Sequence, residues 1–410
     1  MPASEGLSRR NELMKYAEIR VIVRLMVMLV LLSGQGAWEA IAMPLADVPF
    51  ADPNLQACVE RVAQAHGWAD TQAVTSLTCP NDDIADLGGL EAFGNLVTLA
   101  LANNAVDDLT PLAGLANLVT LILESNDITD PTPLAGLTNL VTLSLANNAV
   151  EDLTPLAGLT NLATLSLESN NIADLTPLAG LANLATLSLE GNAVTDLTPL
   201  AGLANLRQVD ISFNADFSSD TSLVNLTPIA GLTNLTILML AGNAVTDLTP
   251  LAGLTNLRQL DISFNADLFA DTSLVNLTPL AGLTNLTMLS LEGNAVTDLT
   301  PLAGLANLAT LSLAGNAVTD LTPLAGLVNL TALFAEDNLM MNLAPLAGLA
   351  NLATLRLDDN LIADINPLLG LTRLEDLGLT GNFDIPCSAF DTLEAALPNT
   401  VISRPITCLP

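Results

Sequence analysis

The amino-acid sequence predicts an α/β solenoid, with a concave parallel β-sheet on one side and short helical turns on the convex side. The main observation is internal repetition, because the unit LVTLSLANNAVEDLTPLAGLTN at residues 140–161 recurs with small changes from residue 96 to residue 373. This stretch holds twelve units, ten of 22 residues and two, 206–234 and 257–285, of 29 residues. Units of this length cannot bury an apolar face alone, so stacking of neighbours must supply the core.

Each unit divides into a strand, a turn and a short helix. The part LxxLxLxxN predicts a strand with inward leucines, and its period is the signature of a leucine-rich-repeat horseshoe. Thirteen units carry the asparagine, from Asn104 to Asn382, which predicts an internal amide ladder. Since asparagine tolerates left-handed backbone, we expect it to form the turn itself. In the unit at 140–161, Thr154 is the predicted N-cap, Pro155 the first helical residue, and 155–159 a turn or two of 3₁₀ helix.

Residues 1–42 have the features of a secretory signal peptide. A basic segment precedes the apolar run at residues 25–32, and Ala40-Ile41-Ala42 is a cleavage site that leaves Met43 as the first residue. A membrane anchor is the alternative, but the run is short and Arg24 interrupts its extension. Either Met1 or Met14 can be the start of translation. The predicted location is secreted, periplasmic or at the cell surface of a bacterium.

The charge of the chain limits its partners. The region after residue 42 keeps six of the 11 basic and 39 of the 43 acidic residues, for a net charge of −33. A surface of this sign excludes nucleic acid and opposes anionic lipid. We therefore expect no membrane insertion after signal cleavage and a partner with basic character.

The four cysteines occur as two pairs at the two ends of the chain. Four cysteines allow three connectivities, but the ends of a long solenoid are too distant to bridge, which favours two local disulfides. The first pair belongs to an N-terminal helical cap and a degenerate first repeat at 43–95, and the second to a partial repeat and C-terminal cap at 374–410. The predicted disulfides are Cys58–Cys79 and Cys387–Cys408.

The caps contain helix-start signals. Asp52-Pro53 predicts a helix that ends at His66-Gly67, with an apolar face toward the first repeat. Ser388 and Asp391 resemble a capping box at the start of a helix near 389–397.

The consensus LTPLAGLTNLxTLxLxxNxIxD resembles the bacterial 22-residue leucine-rich repeats of the internalin type, and the related protein-phosphatase regulatory type, over residues 74 to about 382. The resemblance implies protein recognition on the concave face. It does not identify the partner, and host-cell invasion is not carried over, because the chain ends without a sorting signal.

Signals for an enzyme are missing, and we expect no catalysis and no cofactor. The region after residue 42 has one histidine, His66, and its place before a glycine is typical of a helix end. A recurring aspartate, as at Asp152, is interpreted as a cap of each helical turn rather than a metal ligand. The Asp-rich insertions of the long units also offer weak calcium sites, although their spacing is not that of an EF-hand and solvated turns are the simpler interpretation.

The middle of the concave face is the candidate binding surface. Early units present small residues there, whereas the units from 206 to 291 present arginine, glutamine, aspartate and large apolar residues. The alternative is that the arginines only form surface ion pairs with Asp210 and Asp261. The candidate partner-binding residues are Arg207, Gln208, Asp210, Ile237, Met239, Arg258, Gln259, Asp261 and Met288, with Phe217 and Phe269 as anchors from the insertions.

The sequence thus predicts an exported scaffold that binds a partner macromolecule, a protein in our interpretation, on its concave face. One alternative is a structural cell-surface spacer or adhesin stalk, since near-identical units suit a role in which repeat number matters. Another is binding of carbohydrate or matrix, which the shortage of aromatic residues disfavours.

Overall fold

The computed structural model describes residues 42–214, 223–267, 272–405 and 408. Within them, one parallel sheet of 15 strands runs through the solenoid in chain order, and a two-stranded antiparallel ribbon lies in the second long unit. Helix α1 spans Pro53–His66 and helix α2 spans Cys387–Ala396. The strands, of which β10 and β11 form the ribbon, are β1 (Ser76–Thr78), β2 (Thr98–Ala100), β3 (Thr120–Ile122), β4 (Thr142–Ser144), β5 (Thr164–Ser166), β6 (Thr186–Ser188), β7 (Gln208–Asp210), β8 (Ile237–Met239), β9 (Gln259–Asp261), β10 (Ala266–Asp267), β11 (Thr272–Ser273), β12 (Met288–Ser290), β13 (Thr310–Ser312), β14 (Ala332–Phe334), β15 (Thr354–Arg356), β16 (Asp376–Gly378) and β17 (Val401–Ser403).

The sheet confirms the solenoid and its register. In the strands of the large sheet from β1 to β16, the central residue is buried, and most of the residues on either side of it are at least partly exposed. Leu143 lies opposite Leu165 of the next strand, and the same position pairs from one unit to the next along the sheet. The long units keep this register, since Gln208 pairs with Ile237 although seven more residues separate them than in an ordinary unit.

The convex turns are 3₁₀ helices, as the sequence predicts, but the predicted cap is wrong by one residue. The turn that spans Thr154–Leu156 has Leu153 in the capping position, and Thr154 is already helical. The carboxylate of Asp152 accepts a hydrogen bond of 2.8 Å from Thr154 N–H, a donor at the start of the turn that has no acceptor within the turn itself. The 3₁₀ turns are Leu45–Asp47, Leu90–Ala92, Thr110–Leu112, Thr132–Gly136, Thr154–Leu156, Thr176–Leu178, Thr198–Leu200, Thr227–Ile229, Thr249–Leu251, Thr278–Gly282, Thr300–Leu302, Thr322–Leu324, Ala344–Leu346 and Asn366–Leu368.

The predicted asparagine ladder is present and joins each coil to the one before it. Asn170 donates through Nδ2 to the carbonyl oxygens of Leu167 in its own coil and Leu145 in the preceding coil, both at 3.0 Å. Its Oδ1 accepts from Val150 N–H at 2.9 Å. Buried backbone groups of two coils therefore depend on one side chain.

The ladder asparagine itself is not left-handed, contrary to expectation. The residue before it has the positive φ, and that residue is glycine in several units. In the two long units it is Phe213 and Phe264, each with a φ of 54°. Their rings lie over Gly242 and Gly293, the matching residues of the next coils, where a Cβ atom would collide with the ring. Each long unit is thus followed by a glycine that makes room for its phenylalanine.

The N-terminal cap forms around Asp52. Its carboxylate accepts from Asn54 N–H at 2.7 Å, at the start of α1, and from Ala85 N–H at 2.7 Å in the first repeat. Burial raises the pKa of Asp52, but the backbone N–H groups that bind it outweigh burial and hold the pKa below its ordinary value. One aspartate therefore ties the cap helix to the solenoid, and Gly67 ends the helix in the left-handed conformation.

The disulfides lie in the two caps. Cys58 of α1 is joined to Cys79 of the first repeat, and Cys387 is joined to Cys408. The predicted capping box at Ser388 and Asp391 is wrong, because α2 begins at Cys387 after Pro386 and has no side-chain cap. After α2 the chain adds β17 beside β16, a final strand that the sequence analysis missed.

Candidate protein-binding surface

The concave face is formed by the two outward residues of each strand. On β4 to β6 these are threonine and serine, as in Thr164 and Ser166, and they form even rows of small polar groups. Neighbouring strands lie about 4.8 Å apart, so each row presents one side chain at that interval. A uniform surface of this kind offers little to distinguish one partner from another.

Four adjacent strands, β7, β8, β9 and β12, interrupt these rows. In the first row Gln208 pairs with Ile237, Ile237 with Gln259, and Gln259 with Met288. In the second row Met239 lies between its two aspartate neighbours on β7 and β9. Met288 is 40% exposed. The structure therefore brings together seven predicted residues, here called the central concave patch, which are Gln208, Asp210, Ile237, Met239, Gln259, Asp261 and Met288.

Arg207 and Arg258 lie at the edge of this patch, each one residue before its strand. They line a shallow groove of about 280 Å³ together with Thr236, which occupies the same position in the coil between them. Asn234, Asn256 and Asn285 complete the groove wall.

The ion-pair alternative for these arginines is wrong. Ion pairs among the described residues join Arg61 to Asp82, Arg356 to Asp376 and Arg404 to Glu394. Asp210 accepts instead from Ser212 N–H at 2.9 Å, and Asp261 accepts from Ser263 N–H at 2.9 Å. The two guanidinium groups are thus available at the edge of the patch.

Both predicted aromatic anchors, Phe217 and Phe269, lie outside the described residues. The described phenylalanines closest to them in sequence, Phe213 and Phe264, are 46% and 49% exposed. They pack on glycine at the turn that follows each strand.

A second asparagine ladder was missed by the sequence analysis. The asparagine in each LTNL or LANL segment is exposed or partly exposed and donates to a backbone carbonyl of the previous coil, as Asn161 does to Thr138 at 2.9 Å. Asn234, Asn256 and Asn285 of the groove belong to this ladder. The signal was present, because the asparagine recurs in almost every unit, but its hydrogen bond to the previous coil could not be inferred from an exposed segment.

The recurring aspartates have a structural explanation. The hydroxyl of Thr154 and then its backbone N–H donate to Asp152 and lower the pKa of that carboxyl. The same arrangement recurs in other units, as at Asp196 and Thr198. Each carboxylate is thus engaged as a turn cap, which confirms the structural interpretation of this row.

Two glutamates beyond the C-terminal ends of the strands have the opposite shift. Burial, reinforced by the carboxylates of Asp210 and Glu168, raises the pKa of Glu190. Burial is also the main cause of the raised pKa of Glu336, and the Asp358 carboxylate adds to it. Crowded acidic groups therefore border the concave face, consistent with the net charge of the chain.

The described residues offer little for metal or acid–base chemistry. The one cluster among them with metal-like spacing is Cys58, Cys79 and Asp82, and a disulfide already joins the two sulfur atoms. The His66 ring stacks on Trp68 with centroids 4.5 Å apart. Calcium at the insertions remains a sequence-based hypothesis, since most of both loops lies outside the described residues.

The sheet, the turns and the ladder define a leucine-rich-repeat solenoid with an open concave face. A family model described as "Leucine Rich repeats (2 copies)" matches residues 116–158, 138–180, 160–202 and 233–268. A comparison with curated protein sequences finds no match.

Similarity to solved structures identifies the group of leucine-rich-repeat proteins to which the chain belongs. An internalin (InlF) of Listeria monocytogenes is 31% identical, with 83% of this chain and 98% of that chain covered and a TM-score of 0.75. A leucine-rich-repeat protein of Leptospira interrogans is 25% identical, with 80% and 83% covered and a TM-score of 0.71. The chain belongs to the bacterial leucine-rich-repeat proteins of the internalin type.

A more distant structure shares the fold alone. The leucine-rich-repeat ectodomain of the Arabidopsis thaliana receptor kinase GASSHO1/SCHENGEN3, solved in complex with CASPARIAN STRIP INTEGRITY FACTOR 2, is 23% identical. The match covers 78% of this chain and 46% of that chain, with a TM-score of 0.55.

Proteins of the internalin type are typically scaffolds for protein interaction without catalytic activity. In the part of this chain that the structure describes, no helix has both the length and the apolar character to cross a membrane.

Proposed function

We propose that this protein is exported and binds a partner protein through the central concave patch. The observation that carries the proposal is the break in the threonine and serine rows on four adjacent strands, where glutamine alternates with isoleucine and methionine. Interface cores combine large apolar side chains with arginine at positions that exclude water. The patch supplies the apolar side chains, and Arg207 and Arg258 stand at its edge.

The partner we propose has basic character. The net charge of −33 after residue 42 attracts cationic surfaces and repels anionic ones. Within the patch, Asp210 and Asp261 are partly exposed, and among the described residues they accept hydrogen bonds from the neighbouring serines through Oδ1, which leaves Oδ2 for a partner cation. The charge of the chain thus favours encounter, while the apolar residues provide affinity.

The decisive experiment returns one strand to the sequence of its neighbours. Ile237→Thr with Met239→Ser gives β8 the outward residues of β4 to β6 and leaves the buried leucine unchanged. A partner is first captured with the mature chain from envelope and culture medium, and its affinity is then measured. We expect the double variant to lose roughly tenfold or more in affinity, the amount expected when an interface loses about 1.4 kcal/mol.

A matched control makes two substitutions outside the patch. Thr164→Ala with Ser166→Ala shortens both outward residues of β5 and should leave the affinity unchanged. Arg207→Glu with Arg258→Glu tests the edge of the patch and should weaken binding through slower association. If both patch variants fold and bind the captured partner as the wild type does, the patch is not the site, and the early repeats or the caps become the candidates. Failure to capture any partner would favour the spacer role.

The proposal of export rests on residues 1–42 and has its own test. Expression of the full chain in a bacterium, followed by fractionation and N-terminal sequencing, should give a product outside the cytoplasm that begins near Met43. A full-length product retained in the cytoplasm would contradict it.

A further inference from the structure

The last three repeats differ from the others at one surface position, the residue directly after the ladder asparagine. In the ten earlier units this residue is alanine, aspartate or asparagine, whereas the last three carry Leu339, Leu361 and Phe383. Met341 adds a fourth large apolar residue two positions after Leu339. These four residues, Leu339, Met341, Leu361 and Phe383, are here called the C-terminal apolar row.

The row is exposed to solvent. Leu339 and Leu361 are 47% and 45% exposed, and Met341 and Phe383 are 65% and 68% exposed. The backbone N–H groups of Leu339 and Leu361 bind the preceding coils in the same way, so the two side chains stand on successive coils about 5 Å apart. Leu361 and Phe383 line one shallow groove of about 290 Å³.

The fold does not require these side chains. The residues that follow the two leucines, Met340 after Leu339 and Ile362 after Leu361, are fully buried and fill the inward position. Ala105 occupies the same surface position with the same backbone hydrogen bond. A contiguous exposed apolar group that adds nothing to the core is typical of a surface that contacts another molecule.

Acidic residues border the row. Asp337 and Asp359 each have a positive φ and directly precede a ladder asparagine. Asp384 follows Phe383. Asp359 and Asp384 line the groove itself, and Gly381 leaves the space that the Asp359 carboxylate occupies. The charge of this border selects a cationic partner.

We propose that the C-terminal apolar row binds a helical segment of a partner protein, in which apolar side chains are flanked by lysine or arginine. Apolar residues three or four apart on a helix lie about 5–6 Å from one another, which matches the interval between coils, whereas alternate residues of a strand lie about 6.8 Å apart. A second copy of this chain fits poorly, because its own aspartate border would face the same aspartates without a cation.

The test uses a displayed library of random 16-residue peptides, selected on the mature chain. The counter-selection uses Leu339→Ala, Met341→Thr, Leu361→Ala and Phe383→Ala together, which restores the residue types of the earlier units and keeps every charge. Because all four side chains are at least 45% exposed, this fourfold variant, here called the restored variant, should fold with a urea midpoint close to that of the wild type, which the same titration checks.

We expect enriched peptides to carry leucine or aromatic residues three or four apart with flanking lysine or arginine. A synthesised peptide should bind the wild type at least tenfold more tightly than the restored variant. It should bind the central-patch variant Ile237→Thr with Met239→Ser as tightly as the wild type, which separates this surface from the concave one.

Three results would overturn the proposal. If the peptides bind the restored variant as tightly as the wild type, they are held by the net charge of the chain and not by the C-terminal apolar row. Enriched peptides without lysine or arginine would contradict the role of the aspartate border. A dimer in sedimentation that the restored variant loses would assign the row to a second copy of the chain.

Discussion

Replacement of Asn170 by alanine should destabilise the solenoid by about 2 kcal/mol, within a range of roughly 1–3 kcal/mol. The size of this loss depends on which backbone groups keep another hydrogen-bond partner when the Asn170 side chain is removed. The carbonyl oxygen of Leu145 also accepts from Asn148, and that of Leu167 also accepts from Asn192, so each keeps one partner. The N–H of Val150 is different, because the Asn170 Oδ1 is the acceptor it uses at 2.9 Å. Asn170 also donates to the carbonyl oxygen of Glu168 at 3.1 Å, which keeps the N–H of Asn147 as a donor. The cost is therefore one buried donor left unpaired and three weakened acceptors.

Urea unfolding followed by circular dichroism measures this effect, with the transition midpoint as the quantity compared. Two controls carry the same kind of truncation at other positions. Asn161→Ala removes an exposed bond of the second ladder and should cost under about 1 kcal/mol, and Thr164→Ala on the concave face under about 0.5 kcal/mol. Equal midpoints for Asn170→Ala and Thr164→Ala would refute the account of the ladder.

Asn170→Asp separates the two ends of the side chain. It keeps an acceptor for Val150 but turns a carboxylate toward the carbonyl oxygens of Leu145 and Leu167, so we expect a larger loss than for alanine at pH 7. The pKa of this carboxyl should be raised in the folded state. The variant should then be most stable below the unfolded-state pKa and lose stability as the pH rises through the folded-state value.

Three further predictions follow from the same structure. Gly242→Ala should destabilise the protein more than Gly315→Ala in urea titrations. Both glycines have a similar positive φ, but the new methyl group at residue 242 would collide with the Phe213 ring. Equal losses of stability would contradict the packing described. Glu336→Gln should raise the urea midpoint at pH 7 and leave it unchanged at pH 4. Burial raises the pKa of Glu336 above its ordinary value, so the charged form destabilises the fold as the pH rises, and a variant less stable at pH 7 would contradict this sign. Intact-mass analysis and non-reducing peptide mapping should find two disulfides, each within one cap, and a bond between the two caps would contradict the solenoid.

The repeating parts of the fold were predictable because one physical solution is used many times. The alternation around Leu143 fixes which side chains face the core, and every unit that repeats it must repeat the contact. The same argument revealed the first ladder. It failed for the N-cap position of the turn. The sequence offered both Asp152 and Thr154 as caps, since a threonine before proline is a good cap by itself, and only the geometry of the turn decides between them.

Features that occur once were harder to predict. Strand β17 follows a helix and lacks the repeat pattern, so its pairing with β16 depends on the cap as a whole. The central concave patch was predictable as a set, because register alone decides which residues share a face. The hydrogen-bond partners of Asp261 were not predictable, because its bonds to Ser263 depend on a turn shape that the sequence does not specify. The C-terminal apolar row was visible as leucine in place of alanine, and only its exposure gave that change a meaning.

The hydrogen bonds of the ladder have a consequence for how the gene can change. Asn192 binds the preceding coil through the same atoms as Asn170 does, at the same separations along the chain. Across the first long unit, the separation from Asn243 to its acceptor on Ile211 is 32 residues instead of 25, and the bond remains at 2.9 Å. An unequal crossover that deletes or duplicates one 22-codon segment therefore rejoins two coils that already fit each other. Recombination can change the length of the array in single steps while both caps persist.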